Sequence, residues 1–291
     1  MAYCEPTFKA AQMSDTGAEW QVAQRRKGAA RKSKSVQVSH TCSQEELDIE
    51  KTVRRIRDTV SELSCEDFWP QWKVAGSAAR SKHLQNGDTE GGPCQQLECV
   101  CYGLGSFSSS VSARFQLAML LLLLDAGQIP LKDCSVYDPA FSRGEKAVLR
   151  ELGLTVLTEN EEGKRLATKP TLFYLMHCGK ALYNNLLWRN WSVRHLPLVT
   201  LIGNSFTGMM DRTVEREFTR DYRYITEALS LCEERQLPCP SRLIDVFSDT
   251  AVVTFPSGGL ERLPQSTWAE LPEPQYTHCS DLEIIQRETQ S

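Results

Sequence analysis

No two cysteines in the 291 residues are spaced C-x-x-C, which excludes zinc-ribbon ligation. An apolar leader is also missing: the chain opens on "MAYCEPTFKAAQMSDTG", so no secretory signal is expected. No apolar run approaches the ~20 residues that a bilayer span needs. The most apolar, "LAMLLLLLDA" at 117–126, reads as a buried helix, and no membrane association is expected. Nor is there an excess of positive charge. A formal net charge of -4 provides no overall field for nucleic acid. With no leader, an odd count of 11 cysteines points to a reducing compartment. The expected location is the cytoplasm, with the nucleus as a second one.

What is present divides the chain into segments. Residues 1–42 lack sustained periodicity and carry the basic cluster "RRKGAARKSKS" at 25–35; they read as a disordered arm. The cluster is either a solvated run or a nuclear-localisation signal, and any nucleic-acid contact through it would be weak. Residues 43–75 read as an amphipathic helical segment. Ser43 and Glu46 make a capping-box pattern, and Ile49, Val53, Ile56, Val60 and Leu63 share one helical face. Residues 76–94 are polar and glycine-bearing, as a linker would be. Residues 263–291 are polar and rich in proline, and read as a tail.

Between them, residues 95–262 alternate short apolar runs with helical stretches. The runs "LECVCYG", "CSVYD", "LTVLTEN", "TLFYLMHC" and "LPLVTLIGNS" are separated by helices near 110–126, 142–152 and 179–190. Strands that are apolar on both faces imply a mainly parallel sheet covered by helices on both sides. With right-handed crossovers, the fold class is α/β, a Rossmann-like doubly wound sheet. The stretch 213–236 reads as helical, and "SDTAVVTFPS" at 248–257 as one further strand.

Ligands of such sheets bind outside the carboxyl ends of the strands. The five runs end at Gly103, Gly105 and Ser106; at Asp138; at Glu159 and Asn160; at His177 and Cys178; and at Gly203, Asn204 and Ser205. A dinucleotide fingerprint needs a third glycine, where Ser108 stands, and an acid about 20 residues on. Asp138 lies well past that spacing, so a nicotinamide cofactor is not expected. Methyl-donor-dependent enzymes tolerate a looser glycine pattern with an acid ending the second strand. The glycines are therefore either a ligand loop or a tight strand-to-helix turn. Pro139 restricts Asp138 to extended geometry, and its carboxylate either enters the crevice, or caps the helix near 142 or braces the loop. His177 is either a buried, satisfied histidine or a ligand contact; being adjacent on a strand, it and Cys178 form no catalytic dyad. Trp188 and Trp191 read as core. Cys239-Pro240 is the minimal pattern of haem-responsive sites with a thiolate ligand, or else a plain loop.

"YGLGSFSSSVSARFQLAMLLLL", "VYDPAFSRGEKAVLRELGLTVLTENEEGKR", "TLFYLMHCGKALYNNLLWRNW" and "IGNSF" resemble, in order and spacing, the sensitivity-to-red-light-reduced family, specifically its animal, SRR-like branch. The resemblance covers about residues 95–256. It departs at Met176, where the family usually has proline. It implies a regulatory role: in light signalling and circadian timing for plant members, in haem biosynthesis and clock-gene expression for animal members. It carries no established catalytic activity. Its motifs fall on Gly103, Gly105, Ser106, Asp138, Pro139, His177, Cys178, Gly203, Asn204 and Ser205. No acid/base pair or metal cluster is spaced for recognisable work, so a non-enzymatic protein that binds a small ligand or a protein partner is the leading expectation. The alternative is a divergent transferase using a nucleotide-like methyl donor. The cofactors that follow are haem, through Cys239 or His177, or an adenine nucleotide-like ligand.

Overall fold

The computed structural model describes residues 47–85, 96–269, 272–277, 279, 282, 284 and 285. The basic arm and the Ser43–Glu46 capping box lie outside these residues. Helix α1 (Ile49–Ser64) starts after Asp48, whose carboxylate accepts from the Lys51 N–H at 2.9 Å. Its apolar face buries Val53, Ile56 and Leu63, as the spacing predicts. Helix α2 (Trp69–Gln85) follows and extends into the stretch expected to be a linker. Trp72 and Ala75 bury its first half, so the helix continues past the point where the composition turns polar.

The remaining elements follow in order: β1 (Glu98–Tyr102), α3 (Val111–Ala126), β2 (Cys134–Tyr137), α4 (Arg143–Glu151), β3 (Thr155–Val156), β4 (Thr171–Leu175), α5 (Lys180–Arg189) and β5 (Val199–Asn204). Then come α6 (Phe206–Asp211), α7 (Glu215–Asp221), α8 (Arg223–Ala228), β6 (Glu233–Gln236), α9 (Ile244–Phe247), β7 (Thr250–Thr254) and α10 (Ser257–Leu260). The strands form one sheet in the order β3-β2-β1-β4-β5-β7-β6. The first five are parallel, and β7 runs antiparallel to both neighbours. The fold is therefore α/β and mainly parallel, and its order reverses between β1 and β4.

Alternation along the strands supplies two cores. Cys99 and Cys101 of β1, Leu172 and Tyr174 of β4 and Ile202 of β5 pack with α1, α2, α3 and α4. Val100 and Tyr102, Phe173 and Leu175, and Val199 and Leu201 face α5, α6, α7 and α8 on the other side. The eight consecutive apolar residues Leu117–Leu124 of α3 suit a helix buried nearly all round.

Two expectations are corrected. The stretch 213–236 is not one helix: it breaks at Tyr222 between α7 and α8, stops after Ala228 and ends in β6, whose "EERQ" sequence suits an exposed sheet edge rather than a core strand. Described residues of the expected polar tail also pack. Tyr276 is 6% exposed, and Trp268 lies against Trp191 at a ring separation of 6.0 Å. Isolated apolar residues hold this segment down despite its polar composition.

Candidate functional site

β1 leads into a turn that needs glycine. Gly103 and Gly105 have φ of +68° and +74°, in the left-handed region that L side chains avoid. A Cβ on Gly103 would also collide with the Cys178 sulfur. That sulfur, in the turn after β4, donates to the Tyr102 carbonyl at 3.3 Å and so ties this turn to the end of β1.

Two carboxylates fix the rest of the turn. Asp138, directly after β2, accepts from the Gly105 N–H at 2.8 Å and the Ala140 N–H at 2.7 Å. Glu145 on α4 is 1% exposed and accepts from the Ser106 hydroxyl (2.8 Å), the Ser108 N–H (2.9 Å) and the Ser142 N–H (2.9 Å). Burial pushes the Glu145 carboxyl up, but these hydrogen bonds outweigh it and hold the group below its ordinary value. The bracing reading of Asp138 is thus realised in the geometry, and Glu145 is the partner that sequence reasoning missed. Its capping box with Ser142 is legible locally, whereas its contact with the glycine turn spans 37 positions.

The strand ends enclose a cavity of about 260 Å³. β1 contributes Tyr102 and Gly103, and β2 contributes Tyr137 with Asp138 and Pro139 after it. Asn160, Glu162 and Gly163 come from the loop after β3, and His177, Cys178 and Gly179 from the turn after β4. Leu182 of α5 and the tail residues Ile284 and Ile285 complete the wall. Asn160 donates to the Ile285 carbonyl at 2.6 Å, which pins the tail over the opening.

Tyr102 and Glu162 were not expected here. Burial pushes the Tyr102 phenol far up, reinforced by its hydrogen bond to Glu161, so it remains a donor. Glu161 in turn pairs with Arg165 at 2.7 Å. Glu162 has φ +52°, pairs with Lys164 and donates its N–H to the Asn160 side-chain oxygen at 3.0 Å, the geometry of a tight polar turn.

Of the anticipated strand-end residues, Gly103, Asp138, Pro139, Asn160, His177 and Cys178 meet at this cavity, and Glu159 does not line it. Gly105 and Ser106 lie in the turn beside it. Gly203, Asn204 and Ser205 do not line it and serve the frame instead. Gly203 has no room for a Cβ beside the Leu175 carbonyl and the Tyr183 hydroxyl. The Asn204 side chain accepts from the His177 N–H at 2.8 Å. Ser205 caps α6 and donates to Glu234 at 2.6 Å.

His177 corrects the expectation of a buried histidine. It sits past the end of β4 with φ +52°, which turns its imidazole outward to the rim, exposed. Its Nδ1 lies 3.5 Å from the Gln116 amide. Trp191, 9% exposed, is core as expected.

Cys239 does not fit a haem ligand. Its sulfur is engaged with the carbonyls of Pro240 (3.6 Å) and Leu243 (3.5 Å), away from the cavity. Burial pushes its thiol up, which opposes the thiolate that axial ligation needs.

A family model described as the SRR1 domain matches residues 79–254. An SRR1-like protein of Mus musculus is 42% identical over 204 residues, covering 62% of this chain and 82% of that protein. An SRR1-like protein of Drosophila melanogaster is 31% identical over 283 residues, 95% of this chain and 94% of that protein. The Arabidopsis thaliana protein named SENSITIVITY TO RED LIGHT REDUCED 1 is 43% identical over 111 residues, 38% of this chain and 40% of its own length.

Proposed function

The chain belongs to the SRR1 domain family, and from that premise we propose that it is a regulatory protein of circadian clock gene expression and haem biosynthesis, working through a binding crevice at the carboxyl ends of its strands. The observation that carries the reading is the convergence of four strand ends on one cavity, walled by residues from β1, β2, the loop after β3 and the turn after β4. A cavity at the reversal of strand order is where open α/β sheets hold ligands. The red-light name of the plant relative supports a signalling role rather than a metabolic one. Regulation of haem synthesis here needs no haem on the protein, consistent with the poor fit at Cys239.

One observation favours a second reading, a divergent transferase with a methyl donor. Asp138 follows β2 directly and shares the cavity with Gly103, so an acid and a glycine turn stand at adjacent strand ends. Transfer chemistry would further require a group to take a proton, and His177 is the imidazole at the rim.

The test is replacement of the endogenous protein in cells by Leu182→Trp, which fills the cavity, and by Val74→Ala on the exposed face of α2. Leu182→Trp, checked as folded by its melting temperature, should fail to restore the amplitude of clock-gene transcripts, whereas Val74→Ala should restore it. A folded Leu182→Trp protein with normal rhythms would remove the crevice from the function.

A further inference from the structure

The two halves of a nucleotide site are treated differently in this fold. The ribose half is in place. In doubly wound sheets the acid that meets ribose hydroxyls stands at the end of the second strand. Asp138 occupies that position, one residue beyond β2; each of its oxygens accepts one N–H, from Gly105 and Ala140, and keeps a second lone pair for a ribose hydroxyl. The long spacing from Gly103 that argued against it in the sequence has a structural cause. The turn at 103–110, the 16 residues of α3 and a short 3-10 helix at Leu131–Asp133 all intervene before β2 begins.

The phosphate half is closed. Phosphates bind such folds through N–H groups of the glycine turn at the entry to the next helix. Here the Gly105 N–H is already taken by Asp138 and the Ser108 N–H by Glu145. The chain has placed its own buried carboxylate at the entry to α3, where a phosphate would otherwise be held. The cavity wall adds to this. It carries the carboxylates of Asp138 and Glu162, and among the described residues lining it none is lysine or arginine. Lys164, which pairs with Glu162, is shared with Glu273. A phosphate entering would meet like charge with its customary donors occupied.

The rest of the wall suits a flat base. Tyr102 and Tyr137 supply aromatic surface, and Leu182 and Ile284 supply aliphatic surface. A volume of about 260 Å³ is that of a small ligand rather than a dinucleotide. We infer that the crevice takes a nucleoside that is neutral or carries positive charge, and rejects phosphorylated nucleotides. The inference rests on the crevice proposed above and names its ligand class.

The experiment is calorimetric titration of the full chain with adenosine, with the sulfonium nucleoside S-adenosylmethionine, and with adenosine monophosphate. Adenosine and the sulfonium compound should bind, AMP should bind at least about tenfold more weakly than adenosine, and Leu182→Trp should abolish adenosine binding. AMP binding as tight as adenosine would overturn the inference, and so would the absence of adenosine binding at millimolar concentration. The rhythm assay of Leu182→Trp separates the two levels. If adenosine does not bind and the folded variant still loses rhythm, the ligand class is wrong and the crevice stands. If adenosine does not bind and rhythm is normal, both fall.

Discussion

Glu145 shows how a single buried carboxylate shapes the site. It accepts hydrogen bonds from Ser106, Ser108 and Ser142, so the glycine turn and the start of α4 depend on one group. A carboxyl held below its ordinary value contributes stability that is present above the unfolded value, near 4.3, and is lost as pH falls through the folded one. Glu145→Gln keeps the shape but loses the charge and one acceptor. It should cost about 1–3 kcal/mol at pH 7, in the range for a buried donor left unpaired. Below pH 4 the gap between variant and native protein should narrow. Urea unfolding at a series of pH values checks both points; a gap that is constant with pH would mean that the carboxylate charge contributes nothing. The capping box of Ser142 and Glu145 is readable in the sequence, and so is the need for glycine at a tight turn. That the two meet is not readable, because helix α3 lies between them in the chain. His177 illustrates the same limit. Residue type and strand position suggested burial, and a positive φ beyond the strand end placed it at the rim instead.

The elements differ in how openly the sequence declares them. β1 and β4 announce themselves because both faces are covered and all but one residue of each is apolar, and β5 does so through Val199, Leu201 and Ile202. β6 does not, since an edge strand of glutamate, arginine and glutamine has the composition of a helix. The segment after Leu263 is the least legible. Its apolar residues are isolated, yet Tyr276 places its hydroxyl in a buried network: it accepts from the Asn184 amide at 3.1 Å and donates to the Asn185 side chain at 2.7 Å. Tyr276→Ala should therefore destabilise the protein by about 3–5 kcal/mol, as aromatic truncations in cores do. The effect on melting temperature should be roughly ten degrees, at about 2–4 °C per kcal/mol for a domain of this size. A shift of less than two degrees in a thermal melt would restore the reading of a free tail.

As a whole, the molecule is a mainly parallel sheet whose order reverses between β1 and β4, with its cavity on the carboxyl side of that reversal. The cavity shares its wall with one of the two cores: Tyr102 belongs to it, and Tyr137, Cys178, Leu182 and Ile284 pack against it, while Asp138, Glu162 and His177 add titratable groups. The strand ends in the sequence pointed to the carboxyl side of the sheet, where the cavity lies. Its membership was not legible there: Asn204 and Ser205 went to bracing because β5 lies beyond β4, and the tail supplied Ile284 and Ile285 from the far end of the chain. The most direct test is native mass spectrometry of the full chain purified from cells, beside the same preparation of Leu182→Trp. A crevice that holds a ligand predicts a small-molecule adduct on the native chain that is absent from the variant. Bare protein mass in both, or the same adduct in both, would contradict it.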